Sequence, residues 1–403
     1  MTRLPTNRRS IAGAICLLLG GAVFSVLLGE GLLRLFSNQL PNEIRQLVAV
    51  GSDGSPVFHP YIGHLHKPNA KVLLTRQDFK TVYHTDDYGF RNPSPWPQRA
   101  GIVALGDSLT FGYGVADDRA WPQMIGRGWP EVRVVNLGLI GAGPQQYLRV
   151  YETFGRKLRP RLLLVGLFPW NDFWDADIFN LWLKSGSRCN YLAWRDFGRD
   201  MGIKCTGSWK SNTTLLAHRS YLYRLVMLAR AAAKDLLTMK TETFRFEDGR
   251  RMELDVGRFA TKVREAQSDR REFHLVLRAL QEMDALAKDD GTKVLVLLQP
   301  SKEEIYLPLL GESIPDPSAP LREALTRSGI EYLNLTPVFR EQAAKGTKLF
   351  FEVDGHPNDA GYALIADTVL AYLKPNAAEY GLDTSEEGSP RPVALTNESN
   401  PES

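Results

Sequence analysis

Five short apolar runs, separated by helix-like segments, constrain the fold of this chain of 403 residues more than any other feature. The segments Gln145–Lys157 and Phe273–Ala287 are predicted to be helices, the second because its leucines recur at helical spacing. Alternation of strands and helices favours a parallel sheet covered by helices on both faces. We therefore expect an α/β three-layer sandwich with about five parallel strands. The predicted strands are Ile102–Leu105, Val132–Asn136, Leu162–Leu167, Lys293–Leu298 and Tyr332–Leu335.

The amino terminus carries a candidate membrane anchor. An uncharged run from Ile11 to Gly29 follows Arg3, Arg8 and Arg9 and is long enough to span a bilayer. Positive charge before the run favours an amino terminus in the cytoplasm and the remainder outside. Because no small-residue cleavage site follows cleanly, an uncleaved anchor is preferred to a removed signal peptide. The prediction is a single-pass protein of the cell membrane whose large domain is extracytoplasmic (periplasmic).

Composition narrows the class of protein. With 43% hydrophobic and 24% charged residues, the chain has the composition of a globular protein. A net charge of +3 gives no reason to expect a nucleic-acid partner. There is no Gly-rich phosphate loop, and no cofactor is predicted. The sequence does not predict a protein partner.

The predicted domain organisation has four parts. Residues 1–36 are the cytoplasmic amino terminus and the transmembrane anchor. Residues 37–100 are an extracytoplasmic lead-in segment, and residues 101–375 are the main domain, with an insertion at about 175–270. Residues 376–403 are rich in Pro, Ser, Glu and Asn and are predicted to be a disordered tail.

The lead-in segment carries a hairpin pattern around Val72–Tyr83 and three histidines, His59, His64 and His66. The spacing of the histidines matches no compact zinc pattern with a fourth ligand, so they are interpreted as loop residues and no metal is predicted.

The insertion contains two cysteines, a predicted helix at Tyr221–Leu236 and many aromatic residues. Cys189 and Cys205 flank a short polar stretch, and either a disulfide or two free thiols is compatible with the sequence. An aromatic cap over the sheet edge would suit a sugar or acyl pocket, whereas a stabilising subdomain core is the alternative. The aromatic residues are Phe173, Trp174, Phe179, Trp182, Tyr191, Trp194 and Trp209.

Four short motifs follow predicted strands or precede the last helix, so they are expected to meet at one edge of the sheet. They are Gly106-Asp107-Ser108-Leu109, Asn136-Leu137-Gly138-Leu139-Ile140-Gly141, Asn171-Asp172 and Asp354-Gly355-His356-Pro357-Asn358.

The residue types in these motifs are those that ester chemistry needs. Ser108 would attack an ester carbonyl, His356 would take its proton, and Asp354 would orient the imidazole. The backbone N–H groups of Ser108 and Gly141 and the Asn171 side chain would form the oxyanion hole. The alternative for Ser108 is a helix N-cap, a position that serine often takes.

These motifs together resemble the GDSL, or SGNH, family of serine hydrolases, over about Ile102 to Leu373. The resemblance implies a flavodoxin-like sheet and favours Gly141 over Gly138 as the oxyanion glycine. Two departures stand out. Asp354 lies two residues before His356, where three is usual, and Pro169-Trp170 replaces the usual glycine before Asn171-Asp172.

The predicted function is a membrane-anchored serine esterase that works through an acyl-enzyme. Its expected substrates are O-acyl, chiefly acetyl, esters of envelope or extracellular carbohydrate, or small esters. Three alternatives are an O-acyltransferase of the same fold, a catalytically silent envelope protein that binds glycan, and a lipase or thioesterase for long acyl chains.

Overall fold

The computed structural model of the protein describes residues 8–40, 56–199, 204–205, 220–238 and 240–383. Its strands are β1 (Val57–His59), β2 (Gly63–Leu65), β3 (Lys71–Thr75), β4 (Lys80–His84), β5 (Ile102–Gly106), β6 (Val134–Gly138), β7 (Leu162–Leu167), β8 (Thr241–Arg245), β9 (Arg251–Asp255), β10 (Lys293–Leu298) and β11 (Glu331–Asn334). Its helices are α1 (Arg8–Leu35), α2 (Ser108–Phe111), α3 (Trp121–Gly128), α4 (Pro144–Val150), α5 (Pro169–Lys184), α6 (Tyr191–Ala193), α7 (Tyr221–Thr238), α8 (Val256–Glu265), α9 (Arg271–Asp289), α10 (Lys302–Tyr306), α11 (Ala319–Ser328), α12 (Thr336–Ala344) and α13 (Asp359–Leu373).

The central sheet has five strands in the order β11-β10-β7-β5-β6. All neighbours in it are parallel. This is the flavodoxin-like order of a doubly wound fold. The predicted fold class and all five predicted strands are therefore confirmed. Strand β6 begins at Val134 instead of Val132, because the Val132 N–H donates to the Trp129 carbonyl in a turn at 3.0 Å.

The two faces of the sheet pack into two separate cores, because successive side chains of a strand point to opposite faces. Val103 and Leu105 lie in one core together with α4, α5, α9 and α11. Ile102 and Ala104 lie in the other, together with α3, α8, α12 and α13. Helices on both faces explain why the strands read as continuous apolar runs instead of alternating ones.

Three glycines lie side by side at the carboxyl ends of the central strands. Gly106 of β5 is in register with Gly138 of β6 and with Gly166 of β7. A Cβ at Gly138 would overlap the backbone of Phe111, and one at Gly106 or Gly166 would overlap the side chain of Thr110. The glycines therefore make room for α2, which lies directly on this edge of the sheet.

The remaining predicted elements are confirmed with small changes. The hairpin predicted around Val72–Tyr83 is β3–β4, with those two residues paired. The predicted helix at Gln145–Lys157 is α4 followed by a π-helical turn, Tyr151–Gly155, and a 3-10 turn. Helices α9 and α7 correspond to the predicted Phe273–Ala287 and Tyr221–Leu236.

The carboxyl-terminal tail starts later than predicted. Tyr380 and Leu382 are only 2% and 4% exposed and pack into the core beside α13. Apolar burial of this kind orders residues 376–383, so the predicted disorder is wrong for them. Residues 384–403 lie outside the described residues.

The aromatic residues of the insertion form a small core of their own. Phe179, Trp182, Tyr191 and Trp194 are buried together with a disulfide between Cys189 and Cys205. These four residues therefore support the interpretation of the insertion as a stabilising subdomain core, and they do not form an aromatic pocket. Phe173 is buried instead in the core of the sheet that contains Val103 and Leu105. Trp209 lies outside the described residues.

Helix α1 is the candidate anchor. Its segment Gly13–Leu35 is the one helix in the described part of the chain that is long and apolar enough to cross a membrane. Near its end, the Glu30 carboxylate accepts hydrogen bonds from the Ser220 hydroxyl and from the N–H groups of Tyr221 and Leu222, at 2.9 to 3.1 Å. Glu30 therefore caps the N-terminus of α7 and connects the anchor to the insertion.

We expect Gly138→Ala to destabilise the protein by about 1–3 kcal/mol, because the added methyl group overlaps backbone instead of a movable side chain. Gly126→Ala in α3 is the matched control: its Cβ would lie 3.7 Å from Val134, an ordinary contact. Replacing a helical glycine by alanine is expected to be neutral or stabilising by up to about 1 kcal/mol. Denaturant unfolding of the full-length protein in detergent compares the two. Equal effects of both variants would contradict the crowding at Gly138.

Candidate active site

Ser108 is the first residue of α2, at the carboxyl end of strand β5. Gly106 makes the turn with φ +155°, a conformation that side chains disfavour. The N-cap of α2 is Asp107, whose carboxylate accepts from the Leu109 N–H at 2.8 Å. The alternative in which Ser108 is itself the cap is therefore wrong, and its hydroxyl is available for another partner.

That partner is His356. The Ser108 Oγ lies 2.7 Å from His356 Nε2, although the two residues are 248 positions apart in the chain. The other ring nitrogen, Nδ1, lies 2.6 Å from Asp354 Oδ1. With the proton on Nδ1 donated to Asp354, Nε2 accepts the hydrogen bond from the serine hydroxyl. Ser108, His356 and Asp354 thus form one continuous hydrogen-bonded chain.

Asp354 is held in its ionised form. Burial alone would raise its pKa, but the charge of His356 and the hydrogen bonds from the ring and backbone of His356 lower the pKa to about 2. The same carboxylate oxygen accepts the His356 backbone N–H at 2.9 Å. The two-residue spacing, which departs from the family pattern, therefore allows one carboxylate to fix both the ring and the main chain of His356.

Two charged residues that the sequence did not point to hold this loop from outside. Asp78, in the β3–β4 turn, accepts the N–H groups of Val353 and Asp354 at 2.9 and 2.6 Å. The Lys302 ammonium donates to the Val353 carbonyl at 2.7 Å and is almost fully buried. A face of His356 is covered by Tyr113, with ring centroids 4.5 Å apart. The lead-in hairpin is therefore part of the support of the site.

Asn171 lies in the first turn of α5, where Pro169 occupies the position that the family pattern gives to glycine. Its Nδ2 donates to Asp107 Oδ2 at 2.9 Å, and its buried Oδ1 has no hydrogen-bond partner among the described residues. Asp172 accepts from the Tyr147 hydroxyl and from the Phe168 N–H, both at 2.6 Å. The start of a helix therefore presents Asn171 to the site, next to Ser108.

Gly138 and Gly141 have different surroundings. Gly138 packs against α2, as described above. Gly141 has φ +73°, and its carbonyl accepts from Arg195 at 3.0 Å. Among the described residues, nothing accepts its N–H. Gly141 is not among the residues that line the cleft around Ser108. Its part in an oxyanion hole stays a prediction.

The three lead-in histidines lie outside the site. His64 is in β2, not in a loop, and both His64 and His66 are buried. The Ile140 carbonyl lies 2.9 Å from His64 Nε2, and the Ile140 N–H donates to His66 Nε2 at 3.2 Å. Burial lowers their pKa values to about 3 and about 4. His64 and His66 are therefore neutral packing residues that hold the loop after β6 in place. No group of three potential metal ligands occurs in the described ranges.

A cleft of about 260 Å³ opens at Ser108. Ser108, Asn171, Asp354 and His356 all contribute to its lining, so the structure brings four of the five predicted site residues together. One wall is made by the insertion, through the β8–β9 hairpin and the start of α8. The lining also includes Trp170, Thr241, Glu253, Asp255, Arg258, Lys302 and Glu303.

Solved structures with a similar course of the chain include a lipolytic protein of the G-D-S-L family from Veillonella parvula, with 15% identity and a TM-score of 0.34, covering 67% of this chain and 96% of that one. An acetylxylan esterase from Geobacillus stearothermophilus has 10% identity and a TM-score of 0.36, with 68% and 94% covered. No curated protein matches the chain in sequence.

Residues 259–391 match a family model described as "SGNH hydrolase-like domain, acetyltransferase AlgX". This stretch contains Asp354 and His356, whereas Ser108 and Asn171 lie before it. The match confirms the resemblance to the SGNH hydrolases that the motifs indicate. Over residues 259–391 the chain is therefore similar to an SGNH hydrolase-like domain, and its central sheet has the flavodoxin-like order.

The lowered pKa of Asp354 predicts an acid-dependent loss of stability. An unfolded aspartate has a pKa of about 3.9, so the native contribution is present above about pH 4 and lost as the pH falls towards 2. We expect Asp354→Asn to be less stable than wild type at pH 6 by about 2 kcal/mol, and this difference to shrink towards pH 2. Asp87→Asn, in an exposed turn, is the control. A difference that does not depend on pH would contradict the assignment.

Proposed function

We propose that this protein is a membrane-anchored serine esterase that acts on O-acyl, chiefly acetyl, esters of envelope or extracellular carbohydrate. The observation that carries the proposal is the hydrogen-bonded chain Ser108–His356–Asp354, which ends in an open cleft. A serine hydroxyl becomes a nucleophile when a base accepts its proton and a third group orients that base. The family match supports the same reaction class.

In the proposed first step, Ser108 Oγ attacks the ester carbonyl carbon and its proton passes to His356 Nε2. The carbonyl oxygen becomes an oxyanion, which the N–H groups of Ser108 and Gly141 and the Asn171 amide would receive. The tetrahedral intermediate then collapses. The sugar hydroxyl leaves with the proton of His356, and the acyl group stays on Ser108. Throughout, the Asp354 carboxylate stabilises the imidazolium form of His356.

In the second step, a hydroxyl compound attacks the acyl-enzyme with His356 as base. Water gives free acid and completes hydrolysis, whereas a sugar hydroxyl gives a new ester and completes transfer. The name of the matched family model, an acetyltransferase, favours transfer as the second candidate. The same residues serve both reactions, so the products distinguish them.

We expect Ser108→Ala to reduce turnover of p-nitrophenyl acetate by the full-length protein in detergent at least about 10³-fold, because the acyl-enzyme no longer forms. Ser328→Ala, at the distant end of α11, is the matched control and keeps wild-type turnover. Wild-type turnover by Ser108→Ala would overturn the nucleophile assignment. Longer acyl esters are expected to react more slowly, since the cleft, at about 260 Å³, is small.

Hydrolysis and transfer are distinguished by analysing the products formed from an acetylated oligosaccharide in the presence of an excess of unacetylated acceptor. Release of acetate supports the esterase, and acetylated acceptor supports the transferase. Absence of turnover with retained glycan binding would favour the catalytically silent glycan-binding protein.

We also propose that the chain beyond residue 36 lies outside the cytoplasm, because α1 is apolar and the positive charges precede it. Protease added to spheroplasts is expected to digest the domain while a cytoplasmic marker stays intact. Protection of the domain until the cells are lysed would contradict this orientation.

A further inference from the structure

One wall of the cleft is rich in acidic groups. The β8–β9 hairpin and the start of α8 contribute Glu253 and Asp255, and α10 contributes Lys302 and Glu303. Arg258 is the second positive residue on this side. Whether the wall attracts or repels an anion depends on which of these charges are already paired within the protein.

The positive charges are paired. The Lys302 ammonium is 4% exposed and donates to the carbonyls of Glu352 and Val353. It lies in the electrostatic reach of four carboxylates: Glu303, Asp354, Asp78 and Glu253. Arg258 lies 3.5 Å from the Asp255 carboxylate at the start of α8. The positive charges of Lys302 and Arg258 are therefore both offset by carboxylates of the protein itself.

Glu253 is attracted by the charge of Lys302, but its carboxylate forms no ion pair with a described residue. On β9, its neighbours Met252 and Leu254 are buried in the core, whereas Glu253 is half-buried at the cleft. Its backbone N–H donates to the Glu352 carbonyl at 2.9 Å, next to the loop that carries Asp354. Among the described residues, no hydrogen-bond donor or cation lies within bonding distance of its carboxylate.

We propose that Glu253 selects acyl esters of sugars without a carboxylate and disfavours esters of uronic acid sugars. This inference rests on the proposed function and specifies its substrate class. A carboxylate accepts strong hydrogen bonds from sugar hydroxyls, or from the ammonium of an amino sugar. A uronate in the same place meets a like charge in a partly desolvated cleft. Thr241 and Trp170 also line the cleft.

Three probes test this with the full-length protein in detergent: acetylated xylo-oligosaccharides, acetylated oligouronates of equal length, and p-nitrophenyl acetate. The variants are Glu253→Gln and Glu253→Lys. Glu247→Gln is the matched control, because Glu247 lies in the exposed turn of the same hairpin and does not line the cleft. The backbone hydrogen bond of residue 253 is retained in every variant.

We expect wild type to favour the neutral probe over the uronate by at least about tenfold in kcat/KM. Glu253→Gln lowers kcat/KM on the neutral probe about tenfold, and Glu253→Lys moves the preference towards the uronate. Glu247→Gln leaves the rates on both sugar probes, and the turnover of p-nitrophenyl acetate, within about twofold of wild type. Salt is expected to raise the wild-type rate on the uronate relative to the neutral probe, which a merely structural role of Glu253 would not do.

Equal wild-type rates on both sugar probes, or a preference unchanged in both Glu253 variants, would overturn the inference. Failure of the proposed function is separate: it would appear as no turnover of any probe. In that case, calorimetric titration of Ser108→Ala with unacetylated xylo- and uronate oligosaccharides decides. Tighter binding of the neutral glycan that depends on Glu253 supports the inference, and equal or tighter uronate binding refutes it.

Discussion

The close approach of α2 to the sheet is the constraint on which the site depends. It is possible only because Gly106, Gly138 and Gly166 lie in register and have no side chains at the edge of the sheet. With α2 in that place, Ser108 lies at the carboxyl end of β5, between the ends of β6 and β7. The loops after the neighbouring strands then reach it from both sides, as in other open parallel sheets.

The sequence predicted the parts of the site that local patterns specify. Apolar runs indicated the strands because a parallel sheet is covered on both faces. Ser108, Asn171, Asp354 and His356 stood in short motifs after those strands or before the last helix. The order of the motifs, together with the shared edge, was enough to expect that they meet. The role of Gly141 follows from the family spacing and stays a prediction.

The supporting residues escaped prediction because nothing local distinguishes them. Asp78 is an ordinary turn aspartate until the fold brings it to the backbone of Val353 and Asp354, 275 and 276 positions later in the chain. Lys302 and Glu253 likewise acquire their meaning from neighbours distant in sequence. The aromatic residues of the insertion were conspicuous in the sequence, but they did not specify a structure. Aromatic side chains suit a small core as well as a sugar-binding surface.

The hydrogen bonds between Glu30 and the start of α7 give the candidate anchor a structural role in addition to membrane attachment. Helix α7 leads almost directly into β8, and β8 with β9 forms a wall of the cleft. Removal of α1 to obtain a water-soluble form of the protein also removes Glu30, which caps α7. A truncated form would then keep the Ser108–His356–Asp354 hydrogen bonds while the β8–β9 wall of the cleft loses part of its support.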